Sequence, residues 1–233
     1  MSELIHGDFS ALADHYAKYR PAYAPMVGDG IVGLLPVRPR VADVGAGTGI
    51  WSQMLYDRGC RVDSVEPNDA MRTAGAAQRP ELTWIAGSAE ETTLGSDRYD
   101  LVCMASSFHW PDFDKAVAEF RRLLKTGGYF AALWNTRDIV KDPLLEDIEA
   151  KLHELSPQLQ RVSSGRSEFT SGLNQRLENC GSFSEVVYLE GHHVEFQTPE
   201  HYIGLWKSVN DIQVQIGREK FEIFFDYIRR KTK

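Results

Sequence analysis

Cysteine is scarce in this chain, and the three present, Cys60, Cys103 and Cys180, lie far apart. An odd number without the close spacing of metal ligands offers neither a disulfide framework nor a thiolate site, so no metal is expected. Long apolar runs are missing too. None reaches the roughly 20 residues needed to cross a bilayer, and the opening Met1-Ser2-Glu3 lacks the basic stretch and apolar run of a secretory leader. The expectation is a cytoplasmic protein with no membrane partner. Positive charge is in deficit, with 26 Lys and Arg against 33 Asp and Glu and a formal net charge of -7. That balance argues against a broad electrostatic footprint for nucleic acid, although Arg229-Arg230-Lys231 forms a local basic patch, and it favours a small-molecule substrate. Repeats, low-complexity tracts and clear linkers are also lacking. What remains is an ordinary globular composition, 42% hydrophobic and 25% charged, in 233 residues that suffice for a single α/β domain.

The chain is organised around Val41-Ala42-Asp43-Val44-Gly45-Ala46-Gly47-Thr48-Gly49. Valines and alanine at 41, 42 and 44 suit a strand buried on both faces, and the glycines allow a tight turn and a close approach of backbone to ligand. Ile50, Trp51, Met54 and Leu55 then recur at helical spacing, so a helix begins beside the glycines and aims its free amides at a ligand. A second strand, Arg61 to Val65, ends in Glu66, nineteen residues beyond Gly47, about where an acid takes the ribose hydroxyls in a dinucleotide fold. Ile50 nevertheless occupies the place of the last glycine of G-x-G-x-x-G, which points away from a nicotinamide or flavin dinucleotide.

Helices are expected over 8–24, closed by Arg20-Pro21, over 26–36, and from Ala70 to Gln78 behind a cap at Asn68 or Asp69. Leu82 to Ala86 reads as a third strand and Tyr99 to Ser106 as a fourth, apolar throughout and therefore central. A helix from Phe113 to Lys125, stopped by Gly127-Gly128, precedes a fifth strand, Tyr129 to Trp134. From Asn135 to about Gly181 the strand rhythm stops, and two helical segments near 144–155 and 172–180 suggest a cap over a substrate. Ser184 to Gln197 alternates like a long or bent strand, and helices follow from Thr198-Pro199 and from about Arg218. The pair His192-His193 within that stretch is no metal site, since neighbours on a strand point to opposite faces. The fold expected is α/β, a doubly wound, mostly parallel sheet with an N-terminal lid helix and a helical cap insertion. Its parts are 1–36 as lid helices, 37–135 as the cofactor-binding core, 136–181 as the cap and 182–233 as the remainder of the core.

The run Asp43 to Gly49 resembles the first motif of class I S-adenosylmethionine-dependent methyltransferases, position by position. Tyr16-Ala-Lys-Tyr19-Arg20-Pro21-Ala-Tyr23 and Ser107-Phe108-His109-Trp110 further resemble the small-molecule, trans-aconitate methyltransferase-like subgroup of type 11. The resemblance implies S-adenosyl-L-methionine as cofactor and S-adenosyl-L-homocysteine as product. It implies that Asp43, a member of the cofactor-binding set, orders the glycine turn, that Gly45, Ala46, Gly47 and Gly49 admit the amino-acid end of the cofactor, Glu66 with Pro67 takes the ribose, and Met71, Ser88 and Ala89 meet the adenosine. Tyr16 and Arg20 would close over it, and Ala105, Ser106 and Ser107 would border it. Ser88 stands where the family commonly has an acid, which leaves the backbone of Ala89 as the firmer adenine contact. His109, Trp110 and Trp134 fall at the carboxyl ends of the fourth and fifth strands, where an open α/β sheet binds ligands. They are candidate substrate contacts, with His109 the candidate general base. By family pattern another strand should follow the final helix, and the sequence has none.

The function expected is methyl transfer to a small molecule, O-methylation of a carboxylate or hydroxyl, in a monomer or homodimer. N-methylation and cofactor binding without turnover are the alternatives. A short-chain dehydrogenase would need its Tyr-x-x-x-Lys pair after the central strands, whereas here Tyr227 and Lys231 stand at the extreme end. A base-methylating enzyme usually carries an Asn/Asp-Pro-Pro-aromatic run where this chain has Ser106-Ser107-Phe108-His109.

Overall fold

A computed structural model describes residues 9–139, 142–159, 165 and 167–232. Five strands form one sheet: β1 (Arg40–Val44), β2 (Arg61–Val65), β3 (Thr83–Ile85), β4 (Tyr99–Ala105) and β5 (Leu124–Leu133). Every pairing is parallel and the order is β3-β2-β1-β4-β5, as the near-continuous apolar runs of β1 and β4 require. Strand order reverses between β1 and β4, so the crevice between their carboxyl ends is the switch point of a doubly wound fold. Leu101 stands in register with Val41, and Cys103 with Asp43.

Helices α2 (Pro25–Gly33), α3 (Ile50–Tyr56), α4 (Asp69–Gln78) and α5 (Phe113–Leu123) cover the sheet. One face packs Trp51 and Leu55 of α3 and the apolar side of α2 against Val41, Val62, Leu101 and Leu133. The other gathers Phe113, Phe120 and Phe108 over Ala42, Val44, Val102 and Met104, joined by α8 (Leu173–Asn179), which follows the short α7 (Glu168–Ser171). Asn68 caps α4, its Oδ1 accepting from the Met71 amide at 3.1 Å, and Asp112 caps α5 likewise.

A separate apolar cluster forms between α6 (Pro143–Leu155), α9 (Pro199–Lys207) and α10 (Asn210–Lys231) around Ile148, Leu152, Trp206, Ile212 and Phe224. The sequence expectation of a helix from about Arg218 corresponds to the second half of α10, which is broken at Gly217 by φ 74°. Before the sheet, a 3-10 turn at Ser10–Leu12 leads into α1 (Ala13–Tyr19). Asn68 Nδ2 donates to Ser10 Oγ at 2.9 Å, and Gly204 of α9 lies so close under the Tyr19 ring that a Cβ there would meet it at 2.4 Å. The segment of Ser10 and α1 therefore touches both the sheet domain, at α4, and the layer of α6, α9 and α10.

Three expectations fail. The helix expected over 8–24 ends at Tyr19, because Arg20 precedes Pro21 and takes an extended backbone with ψ 134°. Helix α5 ends at Leu123 rather than Lys125, because Leu124 is buried and already pairs with Tyr99, and Gly127, at φ 77°, lies inside β5 beside a register shift. Residues 184–197 form no strand. They pair with neither edge strand, β3 or β5, and their apolar side chains stay out: Val187, Tyr188 and Val194 are exposed and Phe196 is 95% exposed. Alternating apolar residues make a strand only where a neighbour supplies hydrogen bonds and a covered face.

Candidate functional site

The turn after β1 shows why its three glycines are glycines. Gly45, Gly47 and Gly49 all take positive φ, at 68°, 59° and 83°, a region that L side chains enter at a cost of about 1–2 kcal/mol. A Cβ on Gly45 would stand 2.8 Å from Ser107 Oγ, and one on Gly49 2.8 Å from the Trp84 ring. A Cβ on Gly47 would meet only Met71 Cε, at 3.5 Å, so the face of the turn over Gly47 is the open one. The amide of Gly47 donates to Glu66 Oε2 at 2.7 Å, and that of Asn68 donates to Glu66 Oε1 at 2.9 Å. Burial raises the Glu66 pKa, while the Asn68 and Gly47 amides and the Arg72 guanidinium hold it down. Each carboxylate oxygen keeps a lone pair for a further donor, the requirement for gripping a vicinal diol. Thr48 is buried in the same turn, and its hydroxyl has no hydrogen-bond partner among the described residues.

Across the crevice β4 exits into Ser106, a non-glycine residue at φ 55°. Its amide donates to Leu133 O at 2.8 Å, and Ser107 Oγ donates to Val44 O at 3.3 Å. Phe108 is fully buried among Phe113, Phe120, Phe130 and Phe169 and anchors the loop. On that anchor the His109 ring lies 4.5 Å from Trp110 and 6.4 Å from Trp134 at the end of β5. Trp110 is 40% exposed, while the Trp134 indole nitrogen is buried with no hydrogen-bond partner among the described residues.

Residues 42–132 match the family model described as a methyltransferase domain. An uncharacterized methyltransferase of Mycobacterium tuberculosis is 37% identical over 131 residues, covering 56% of this chain and 53% of that protein. A malonyl-(acyl-carrier protein) O-methyltransferase of Enterobacter lignolyticus is 29% identical over 132 residues, covering 55% of this chain and 52% of that protein. The alignments thus span about half the length of these relatives. Among solved structures, a protein of Anabaena variabilis assigned as a methyltransferase of an antibiotic biosynthesis pathway superposes with a TM-score of 0.66 at 21% identity, over 91% of this chain and 86% of that one. Residues 42–132 therefore match a methyltransferase domain, whose cofactor is S-adenosyl-L-methionine.

The side chains of the methyltransferase domain fit that cofactor. The open face over Gly47, the unpartnered Thr48 hydroxyl and the two-oxygen grip of Glu66 offer room, a polar contact and a diol acceptor along one rim. Thr48 was legible as a hydroxyl between two glycines, yet the sequence pattern alone singles out only the glycines. Met71 is buried, with its methyl 3.5 Å from where a Cβ on Gly47 would stand. Ala46 donates its amide to Val65 O at 3.0 Å, which fixes the turn to β2 and leaves its methyl half-buried. Pro67 is exposed, and Ala105 closes β4.

Asp43 is placed differently from the glycines it precedes. Its side chain is fully buried, with Ser52 Oγ donating to Oδ2 at 2.6 Å and Cys103 Sγ 3.7 Å from Oδ1. Ser64 Oγ donates in turn to Ser52 Oγ at 2.9 Å. Burial pushes the Asp43 carboxyl up to about 7 against the pull of the Ser52 and Cys103 hydrogen bonds, with the Glu66 charge adding to the rise. Asp43 ties β1 to α3 across the turn and faces the core. Ser88 Oγ accepts from the Glu91 amide at 3.2 Å and so serves its own turn, while Ala89 is buried. Arg20 reaches the far end of α9, its Nη2 donating to Ser208 O at 3.1 Å, with its guanidinium 4.6 Å over the Tyr16 ring. A cation there meets the free carbonyls of a helix C-terminus.

Proposed function

We propose that this chain transfers the methyl group of S-adenosyl-L-methionine to an oxygen of a small-molecule acceptor, a carboxylate or a hydroxyl, by in-line displacement. The observation that carries the reading is the pair of amide bonds from Gly47 and Asn68 to Glu66 at the carboxyl ends of β1 and β2. Together with the Thr48 hydroxyl they make a preformed rim for a nucleoside bearing an amino-acid tail. Bound there, the cofactor supplies an electrophilic methyl on sulfur. The chain's own task is placement, since most of the barrier to such a displacement is removed by holding the two reactants in line.

Residues 106–110 and Trp134 bound the acceptor side in this reading, with His109 between two indoles as the candidate base. A carboxylate acceptor is already ionised near neutral pH and requires only positioning; a hydroxyl requires His109 to accept its proton. O-methylation is favoured by the relative named as a malonyl-(acyl-carrier protein) O-methyltransferase. Membrane and nucleic-acid partners form no part of the reading, which places the protein in the cytoplasm as a monomer or homodimer. No described helix is long and apolar enough to cross a membrane.

Calorimetric titration with S-adenosyl-L-homocysteine tests the cofactor half. Wild type should bind, and Glu66→Ala should weaken binding by about a hundredfold, the loss expected of a buried charge-assisted pair; a folded wild type that does not bind would sink the proposal. An acceptor screen with labelled methyl groups follows. Label on nitrogen, or binding with no transfer to any acceptor, would replace O-methylation by one of its alternatives.

A further inference from the structure

Between α1 and α2 the chain crosses the carboxyl edge of the sheet as an extended strap. Arg20 leaves α1 with ψ 134°, and Asn135 Nδ2, just beyond β5, donates to Ala22 O at 2.8 Å. Tyr23 lies under this strap. Its ring meets the buried Trp51 of α3 edge to face at 5.4 Å, and its hydroxyl donates to Ser106 Oγ at 2.9 Å. One phenol thereby touches the helix that starts at Gly49 and the turn that leaves β4, the two sides of the crevice.

Ser106 needs that support. It holds φ 55° without being glycine, and the next residue, Ser107, puts its Oγ where a Cβ of Gly45 would lie. A relaxation of Ser106 out of the left-handed region would swing Ser107 relative to the Gly45 turn. We infer that Tyr23 is a positioning residue, whose hydroxyl holds the Ser106–Ser107 turn in the conformation that keeps the crevice beside Gly45 open to the cofactor. The inference rests on the reading of the Gly45–Gly49 turn as the cofactor site. The phenol stays neutral throughout the working range, since burial drives its pKa upward.

Three variants of the full chain, Tyr23→Phe, Ser106→Gly and the double, titrated with S-adenosyl-L-homocysteine and melted without ligand, test it. Tyr23→Phe keeps the ring on Trp51 and removes only the hydroxyl; its dissociation constant should rise about tenfold, the loss expected of one buried hydrogen bond. Ser106→Gly accepts the left-handed conformation without help and serves as the background of a double-mutant cycle: whatever its own affinity, adding Tyr23→Phe to it should cost less than about twofold more. A Tyr23→Phe protein that melts lower yet binds as wild type does would reduce Tyr23 to a packing residue. A full tenfold loss in the glycine background would show that it acts elsewhere than through Ser106. A wild type that does not bind at all would remove the cofactor reading and this inference together.

Discussion

Around the Gly45–Gly49 turn, backbone and side chains hold one another by named polar contacts: Gly47 to Glu66, Ser52 to Asp43, Ser107 to Val44 and Tyr23 to Ser106. In the layer of α6, α9 and α10 the interior is apolar, and polar pairs such as Tyr227 with Asp147 and Lys231 with Asp147 lie on the partly exposed rim. Directional bonds leave a chain few alternatives, whereas apolar contacts tolerate repacking provided volume is kept. The turn side is therefore built to hold one geometry, and the α6, α9 and α10 layer to bury surface.

That contrast breaks most visibly in stability. Ile148→Ala, at a fully buried position of the cap, should cost about 3 kcal/mol of unfolding free energy in a denaturant titration. The same variant should change S-adenosyl-L-homocysteine affinity by less than about threefold; a larger loss would mean that α1, which touches both regions, couples the cap to the turn. Gly47→Ala should do the reverse: about 1–2 kcal/mol lost to the positive φ, with at least a tenfold loss of affinity, because its new methyl enters the open face.

Asp43 sharpens the comparison through pH. Its folded pKa of about 7 lies above the ordinary carboxylate value, so between pH 4 and 7 the folded state holds a proton that the unfolded chain releases. Stability should fall as pH rises through that window and level off above it. Asp43→Asn should flatten much of the slope in thermal melts from pH 5 to 8, leaving the smaller contribution of Glu66, which is shifted in the same direction. An unchanged slope would mean that Asp43 is ionised in the fold. The smallest effect belongs to His109→Gln, which should leave cofactor affinity unaltered. With a hydroxyl acceptor it should abolish the rise of turnover with pH near neutrality, and with a carboxylate acceptor it should leave the profile flat.

Much of the turn side was readable in advance because its signals are local. Three glycines on alternate positions, a helical period after them and an acid at the next strand end lie within 22 residues of one another, from Gly45 to Glu66, and each is a backbone requirement written in residue type. Asn68 could be named as a cap for the same reason. The stretch 184–197 could not be judged that way. Its alternation is a statement about pairing with a neighbour, and in the described fold it pairs with neither edge strand. The partner of Arg20 was equally hidden, since nothing in Tyr-Arg-Pro tells that its guanidinium meets Ser208, 188 residues away.

The sequence by itself determined the parallel core, the positive-φ turn and the placing of Glu66 beside it, because strand burial, glycine freedom and strand-end position follow from short windows of chain. Tertiary structure alone decided that Asp43 faces the core, that the Thr48 hydroxyl has no partner among the described residues, that Arg20 meets Ser208 at the end of α9 and that the Tyr23 hydroxyl bonds Ser106. Each of those outcomes depends on which distant groups satisfy a buried polar atom, and that is settled only when the sheet has brought them together.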